Sequence, residues 1–474
     1  MKLYSLYYYI IFYLALLISS NIFSEDNLDL PPKIKQVKPI HLQNYKSFTL
    51  QNGLKVYIIE NHKLPTVSFF MYLNYLPNLE PNKSGLGEIT AKLIKQGARK
   101  KTKYEIDEEL DFMGTDLNID NNVVFANSLS KYSEKTLEII SDILLSPNFD
   151  ENEFLKIKEE MILKIQSEKN NPESIIANVS KKLLYGNSHL YGEVPTENTI
   201  NKITLNDCIK YHQTYFRPNI THLAIMGDIN LEEGKRLTEK YLNSWKQKKI
   251  PSKHKRHLIK NRKTEIYLMN RNESVQSVIR ITHNINFPQN DKNIHSAMVM
   301  NTILGGGMFR LYQNLREKKG YTYGVYSSLH PDKLVGNFSV DFSTENSSTH
   351  KSIKEVFWEL NRIRRLEVEK KELQLAKNYL IGQFSLSLEN PETIALFAIR
   401  SAIYHLPPDY FQTYIEKINQ VSIKDVKKAA QKYIDPTNSN IIIVGRKKDL
   451  LRKLKSLKKY KVLEINDQGK IKKG

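Results

Sequence analysis

The stretch "ITLNDCIKYHQTYFRPNITHLAIMGD", residues 203 to 228, can be laid without a gap on "VSIKDVKKAAQKYIDPTNSNIIIVGR", residues 421 to 446. Asp207, Gln213, Tyr215, Pro218 and Gly227 then face Asp425, Gln431, Tyr433, Pro436 and Gly445. In both copies a helical pattern gives way to a Pro turn, a short apolar strand and a Gly. A second pair, "NNPESIIANV" from Asn170 and "ENPETIALFA" from Glu389, agrees with the first to within one residue of offset. Two matches at nearly one spacing point to a duplicated domain.

The boundary between the copies falls in the Lys-rich segment from Trp245 to about Arg262, where Pro251 and the lack of apolar periodicity suit an exposed linker. This gives an N-terminal domain at 41–245, a basic linker at 246–262 and a C-terminal domain at 263–474. In the first half, "YKSFTLQNGLKVYIIEN" holds two alternating runs joined by Asn52-Gly53, a strong hairpin signal, and the strand "TVSFFMYLN" follows Pro65. Helices are expected near 84–97, 103–113, 133–145, 151–169, 173–184 and 204–215, with strands between 115 and 130. The second half repeats the scheme: strands near 264–284, a helix at 291–303, glycines, a helix at 308–318, strands at 321–343, then helices. Strands bunched with strands and helices with helices predict an α+β fold. Each of the two duplicated domains is then a largely antiparallel sheet with one face covered by helices.

Composition sets the outer limits. A chain of 474 residues with 40% hydrophobic and 26% charged residues is ordinary globular material, too long for a single core. Lys2 is followed by the uncharged apolar run "LYSLYYYIIFYLALLI" and then by small or polar residues to Ser24. That layout predicts a signal peptide at 1–24, export to the periplasm and no stable membrane span after cleavage. The alternative is an uncleaved anchor in the inner membrane, since the run is only slightly below spanning length. The single cysteine, Cys208, excludes an intrachain disulfide and sits at a helical, core-facing position, as a small buried hydrophobe rather than a nucleophile.

The net charge of +20 raises the question of nucleic acid, but basic residues are mixed with acidic ones along nearly the whole chain. The two dense runs, "KQKKIPSKHKRHLIKNRK" and "KKDLLRKLKSLKKYK", read as solvated linker and helix surface. Weak attraction of such runs to anionic membrane surfaces or acidic partners stays open. Zinc hydrolases commonly place two His four or five residues apart on a helix, with a water-activating Glu. Of twelve His here only His254 and His257 are close, and they sit among Lys and Arg without a carboxylate. Gly305-Gly306-Gly307 lacks the Lys-Ser/Thr of a phosphate loop and reads as a flexible helix entry able to contact a peptide backbone.

Five segments then carry a resemblance: Ser84 to Gly114, "LLSPNFDENEFLKIKEEMILKIQSEKNNPESI", "YGEVPTENTI", "YFRPNITHLAIMGD" and "LGGGMFRLYQNLREKKGYTYGVYSS". In order and spacing they resemble the insulinase/pitrilysin type of zinc metallopeptidases, above all the short two-domain bacterial and mitochondrial-processing-peptidase-like members. The likeness runs from about Lys46 to Arg446. Active members carry H-x-x-E-H directly after a Gly-Leu pair and a further Glu ligand seventy to eighty residues on. Laid on this chain, the motif falls at Glu88, Ile89, Thr90, Ala91 and Lys92, and the distal ligand at or near Lys164. Both imidazoles, the water-activating carboxylate and the distal ligand are replaced, two of them by ammonium groups that offer a cation no lone pair.

The resemblance also implies what the second half keeps. An Arg and a Tyr that reach bound peptide beside the zinc in active assemblies correspond to Arg316 and Tyr323. Both can donate to a scissile carbonyl as negative charge builds on its oxygen. It implies a non-catalytic subunit of a two-component metallopeptidase, with no cofactor in this chain and zinc in a homologous partner. The heterodimer would enclose a peptide substrate, with this chain forming part of the chamber wall. A peptide-binding or scaffold pseudoenzyme of the cell envelope, without a proteolytic partner, is the alternative.

Overall fold

The computed structural model describes residues 45–251 and 263–472. The expected signal peptide, most of the basic linker, and His254 and His257 lie outside the described residues. Asn52-Gly53 forms the anticipated tight turn, with Gly53 in the left-handed region at φ 86°, where a side chain would be strained. It joins β1 (Lys46–Thr49) to β2 (Lys55–Glu60) as an antiparallel pair. Strands β3 (Thr66–Leu73), β6 (Asp116–Asp120), β7 (Val123–Leu129) and β8 (Thr221–Gly227) complete a six-stranded sheet in the order β1-β2-β8-β3-β7-β6. A two-residue pair, β4 (Gly97–Ala98) and β5 (Lys101–Thr102), stands apart from it.

The second sheet contains β9 (Glu265–Asn270), β10 (Gln276–Ile285), β11 (Val325–His330), β12 (Gly336–Glu345), β13 (Asn440–Gly445) and β14 (Lys461–Ile465), ordered β11-β12-β10-β13-β9-β14. Read from its other edge, five of its strands repeat the first sheet one for one: β9, β13, β10, β12 and β11 stand for β2, β8, β3, β7 and β6. The equivalent pairs β2–β8 and β9–β13 are parallel in both sheets. Only the outer strand differs, β1 arriving antiparallel from before the repeat and β14 parallel from after it.

The helices of the first repeat are α1 (Leu86–Ile94), α2 (Lys103–Met113), α3 (Ser133–Leu145), α4 (Glu151–Glu168), α5 (Pro172–Tyr185), α6 (Leu205–Tyr215) and α7 (Leu231–Leu242), joined by shorter turns. The second repeat contributes α8 (Ile294–Gly305), α9 (Thr349–Arg365), α10 (Lys370–Ser387), α11 (Pro391–Tyr404), α12 (Ile423–Tyr433) and α13 (Lys447–Lys455). The duplicated segments begin helices in the same way. Thr204 with Asp207 and Ser422 with Asp425 form capping boxes at α6 and α12. Asn171-Pro172 and Asn390-Pro391 open α5 and α11, each Asn side chain accepting an orphan backbone N–H.

Those two Asn-Pro helices change the expected layering, since helices cover both faces of the sheets. On β2 and β8, Val56, Ile58, Leu223 and Ile225 join the core formed with the first repeat's own helices. The alternate residues Tyr57, Ile59, Ala224 and Met226 face the other way and pack on Ile394, Ala395, Ala398 and Ile399 of α11, a helix of the second repeat. Reciprocally, Ile175, Ile176 and Val179 of α5 pack on Ile442 and Val444 of β13 and Ile465 of β14. Each repeat thus lends its Asn-Pro helix to the other's sheet. This accounts for the unbroken apolar runs of β8 and β13, since strands buried on both faces lose alternation. Each fully buried Ile in these contacts contributes about 1.5–3 kcal/mol, as in any core. The two repeats accordingly cluster as one compact unit. Among the described residues no helix is long and apolar enough to cross a membrane.

Candidate functional site: a salt-bridged metal position and an exposed Arg–Tyr pair

Helix α1 starts from Gly85, which is left-handed at φ 102°. Its apolar face, Ile89, Ala91, Leu93 and Ile94, is buried against the first sheet. Glu88 and Lys92 are half-buried on the opposite side. A Cβ on Gly87 would lie 2.3 Å from Asn121 Oδ1 and 2.6 Å from Tyr211 Oη, so those two side-chain ends would have to shift. Lys164 projects from α4, and its Nζ lies 3.0 Å from Glu88 Oε1. That hydrogen bond is the largest influence raising the Lys164 pKa, with Asp120 adding in the same direction, so the ammonium is held charged.

The four positions matched to the family's metal motif are therefore gathered on α1 and α4, where they hold an ion pair. Glu88 carries the one carboxylate, and Lys164 occupies it. Ala91 is 1% exposed and has no polar atom. Lys92 adds a second positive group. A divalent cation would have to displace an ammonium and would then find a single ligand, so these residues do not fit zinc. Among the described residues no three His, Cys, Asp or Glu are grouped to hold an ion. Besides offering a cation no lone pair, Lys164 is paired with Glu88, which neutralises its charge. Opposite charges at two ligand positions were the available signal for that pairing. Cys208 is fully buried on α6, and burial raises its thiol pKa to about 11, which keeps it protonated.

In the second repeat the helix expected at 308–318 is present from Arg310, starting as a single α turn, Arg310–Tyr312, and widening into a π turn over Gln313–Lys318. The Lys319 N–H donates to Asn314 O at 3.1 Å, five residues back. The late start follows from the glycines. A Cβ on Gly305 would lie 2.7 Å from Ser327 N, and one on Gly306 2.7 Å from Thr302 Cα. Gly305 is therefore needed where α8 ends against β11, and Gly306 where the chain turns back over Thr302 of α8 itself. Gly307, at φ 117°, borders open surface beside Tyr379. The turn is anchored by Arg310, which is buried and donates to both carboxylate oxygens of Glu372 at 2.7 and 2.6 Å. Gly320 closes it in the left-handed region at φ 63°, as a C-cap should.

Arg316 and Tyr323 are brought together at this end, the guanidinium 5.1 Å from the centre of the phenol ring. Tyr323 is 80% exposed. Among the described residues neither side chain has a recorded hydrogen bond or ion pair within the chain. Where α5 crosses the second sheet, a polar cavity of about 700 Å³ is lined by Tyr185, Tyr191, Arg280, His330, Asp332 and Asp341, residues that the sequence did not single out. Within it Arg280 Nε donates to Asp341 Oδ1 at 2.5 Å, and Tyr191 Oη donates to Asp332 at 2.9 Å.

Two entwined copies of one α+β repeat, with the first copy's motif helix opposite a long helix that supplies the distal position, define an insulinase-type architecture. The chain belongs to the insulinase family, peptidase family M16. Residues 78–193 match the family described as "Insulinase (Peptidase family M16)", and residues 202–380 match "Peptidase M16 inactive domain". It is similar to the "Uncharacterized zinc protease YmxG" of Bacillus subtilis, at 24% identity over 73% of this chain and 85% of that protein. It is also similar to the "Non-peptidase homolog YmxG" of Helicobacter pylori, at 23% identity over 84% of this chain and 93% of that protein. Among solved structures, a "peptidase M16 inactive domain" from Pseudomonas fluorescens superimposes with a TM-score of 0.78 at 22% identity. That match covers 85% of this chain and 98% of the other.

Proposed function

We propose that this chain is the exported, non-catalytic subunit of a two-chain zinc metallopeptidase. A homologous partner with an intact H-x-x-E-H carries the zinc, and the two chains close around a peptide. This chain supplies chamber wall together with Arg316 and Tyr323, which donate hydrogen bonds to the scissile carbonyl as its oxygen becomes anionic. The observation that carries the reading is the contrast between the two sites. The metal positions are closed by the Glu88–Lys164 ion pair, whereas half-buried Arg316 and exposed Tyr323 lie against each other with no hydrogen bond or ion pair among the described residues. The relative named a non-peptidase homolog supports the first half of that contrast. Of the three glycines, Gly307, beside exposed Met308, is the one to which this reading gives contact with the peptide backbone.

The test is co-purification from the native envelope, followed by zinc quantification and peptide turnover of whatever accompanies the chain. The expected result is no stoichiometric zinc and no turnover for the isolated chain, with both appearing in the complex. Chelator-sensitive hydrolysis by the isolated chain would overturn the proposal. Recovery of a peptide-loaded chain with no zinc-bearing homologue would favour the scaffold alternative.

A further inference from the structure

The surface formed by α9 and α13 carries charge that the proposed function does not use. On α9, Lys351, Lys354, Trp358, Arg362 and Arg365 fall at intervals that place them on one side of the helix, while Ile353, Val356, Phe357, Leu360 and Ile363 are buried on the other. Trp358 is 54% exposed, with the Arg362 guanidinium 5.3 Å from its ring centre. The chain's second tryptophan, Trp245, is 4% exposed.

Helix α13 lies alongside. Leu450, Leu454 and Leu457 anchor it in the core, and Phe357 of α9 meets Tyr460 just beyond it with ring centres 5.3 Å apart. From Arg446 to Lys461 the sequence holds nine basic residues against one acidic residue, Asp449. Arg446 pairs with Asp449 at 3.7 Å and Lys447 with Glu464 at 2.7 Å. Among the described residues no ion pair is recorded for Arg452, Lys453, Lys455, Lys458, Lys459, Lys351 or Lys354. Burial, and after it the charges of Lys354, Lys351 and Lys453, disfavour protonation of His350. Arg362 pairs with Glu359 at 3.4 Å, while the other named cations of α9 and α13 leave a basic surface on the two neighbouring helices, with the exposed indole of Trp358 on the α9 part of it.

We propose that this face docks the protein on an anionic lipid surface, the cations pairing with acidic headgroups and Trp358 entering the interfacial layer. Unpaired cations repel one another unless a dense array of negative charge is brought up to them, which acidic headgroups provide. The indole is the side chain that most favours the boundary between headgroups and acyl chains. Lys351, Lys354, Arg362 and Arg365 share the Trp358 side of α9, so the indole and these cations meet a surface together.

The full-length chain is mixed with phosphatidylcholine vesicles, with and without phosphatidylglycerol at roughly a third of the lipid. Because Trp245 is buried, a change in tryptophan emission reports on Trp358. We expect a blue shift on phosphatidylglycerol vesicles alone, reversed by salt and absent in Trp358→Phe. Binding by Lys354→Glu/Arg452→Glu/Lys455→Glu should fall tenfold or more, and the milder triple Gln variant should lie between it and the parent. The apolar run at residues 3–18 acts equally on both lipids and in every variant, so these differences isolate the face. An identical shift on both lipids would overturn the proposal. So would parent-level binding by the charge-reversed chain, or binding to a duplex oligonucleotide with none to phosphatidylglycerol vesicles.

Discussion

Replacing Ile399 of α11 with Ala perturbs a helix of the second repeat at a point where it covers the sheet of the first. Ile399 is 2% exposed and sits in the cluster with Tyr57, Ile59, Ala224 and Met226. The substitution removes three buried carbons, a transfer loss of about 2.4 kcal/mol at roughly 0.8 kcal/mol each. The vacated space adds a cavity contribution, since the surrounding strands relax only in part, which brings the expected total to about 3 kcal/mol. Native-state amide exchange is the assay that locates the damage. If the repeats are one cooperative unit, protected amides of β2 and β8 should exchange about a hundredfold faster, together with those of β10 and β13. Urea unfolding should keep a single transition with an unchanged slope and a lower midpoint. The reciprocal change, Ile176→Ala on α5, should produce the same pattern. Acceleration confined to the second sheet, or two separated unfolding transitions, would refute the mutual covering of the repeats.

Other outcomes follow from single sites. Lys164→Ala should alter stability by no more than about 1 kcal/mol in thermal melts, because the ion pair with Glu88 is substantially solvated, its two side chains being 53% and 30% exposed. Tyr323→Phe should leave the melting temperature unchanged, yet Arg316→Ala and Tyr323→Phe should each lower turnover of the reconstituted two-chain complex by about tenfold to a thousandfold. An unaltered rate would remove both residues from the mechanism. Gly305→Ala should destabilise by about 1–3 kcal/mol through its clash with Ser327 and Leu311, whereas Gly382→Ala, in α10 with nothing near its missing Cβ, should stabilise by up to about 1 kcal/mol. His212 and His222 are buried and neutral, and desolvation holds both pKa values down to about 4. The unfolded chain therefore binds protons that the folded chain refuses. Stability is full above about pH 6.5 and falls as pH drops towards 4, by about 2 kcal/mol for each histidine at pH 5. Urea midpoints at pH 7 and 5 check this, and a flat profile would contradict it.

Much of the architecture was legible because both repeats spell out their helix starts. Thr204/Asp207 and Ser422/Asp425 are caps, and the Asn-Pro pairs sit where α5 and α11 begin. Such signals are local and survive without tertiary context. The exchange of α5 and α11 was not legible, since an apolar stripe states that a helix must be covered but not by which sheet. Its only trace was the loss of alternation in "LAIMG" and "IIIVG". The helix expected at 308–318 starts at Arg310 and widens into a π turn, and its late start goes with Gly305 being fitted against Ser327, a partner distant in sequence that a periodicity count does not show. At the candidate site the missing ligands could be read from residue type alone. The Glu88–Lys164 bond left only an indirect signal, opposite charges at two positions of one ligand set, because no local pattern within either helix encodes a contact between them.

The helix exchange also recasts the Lys-rich connection between the copies. A lone repeat would leave one sheet face bare, so its natural way to become soluble is to trade the Asn-Pro helix with a twin. A single gene fused from two such twins replaces a concentration-dependent encounter with a tethered one. A leash of the length of residues 246–262 holds its ends at an effective concentration in the millimolar range. The covalent link is then a matter of stoichiometry rather than of shape. Halves made as separate chains would still seek each other, while the fused form frees each copy to drift from the other, one losing its ligands while its neighbour keeps a different surface.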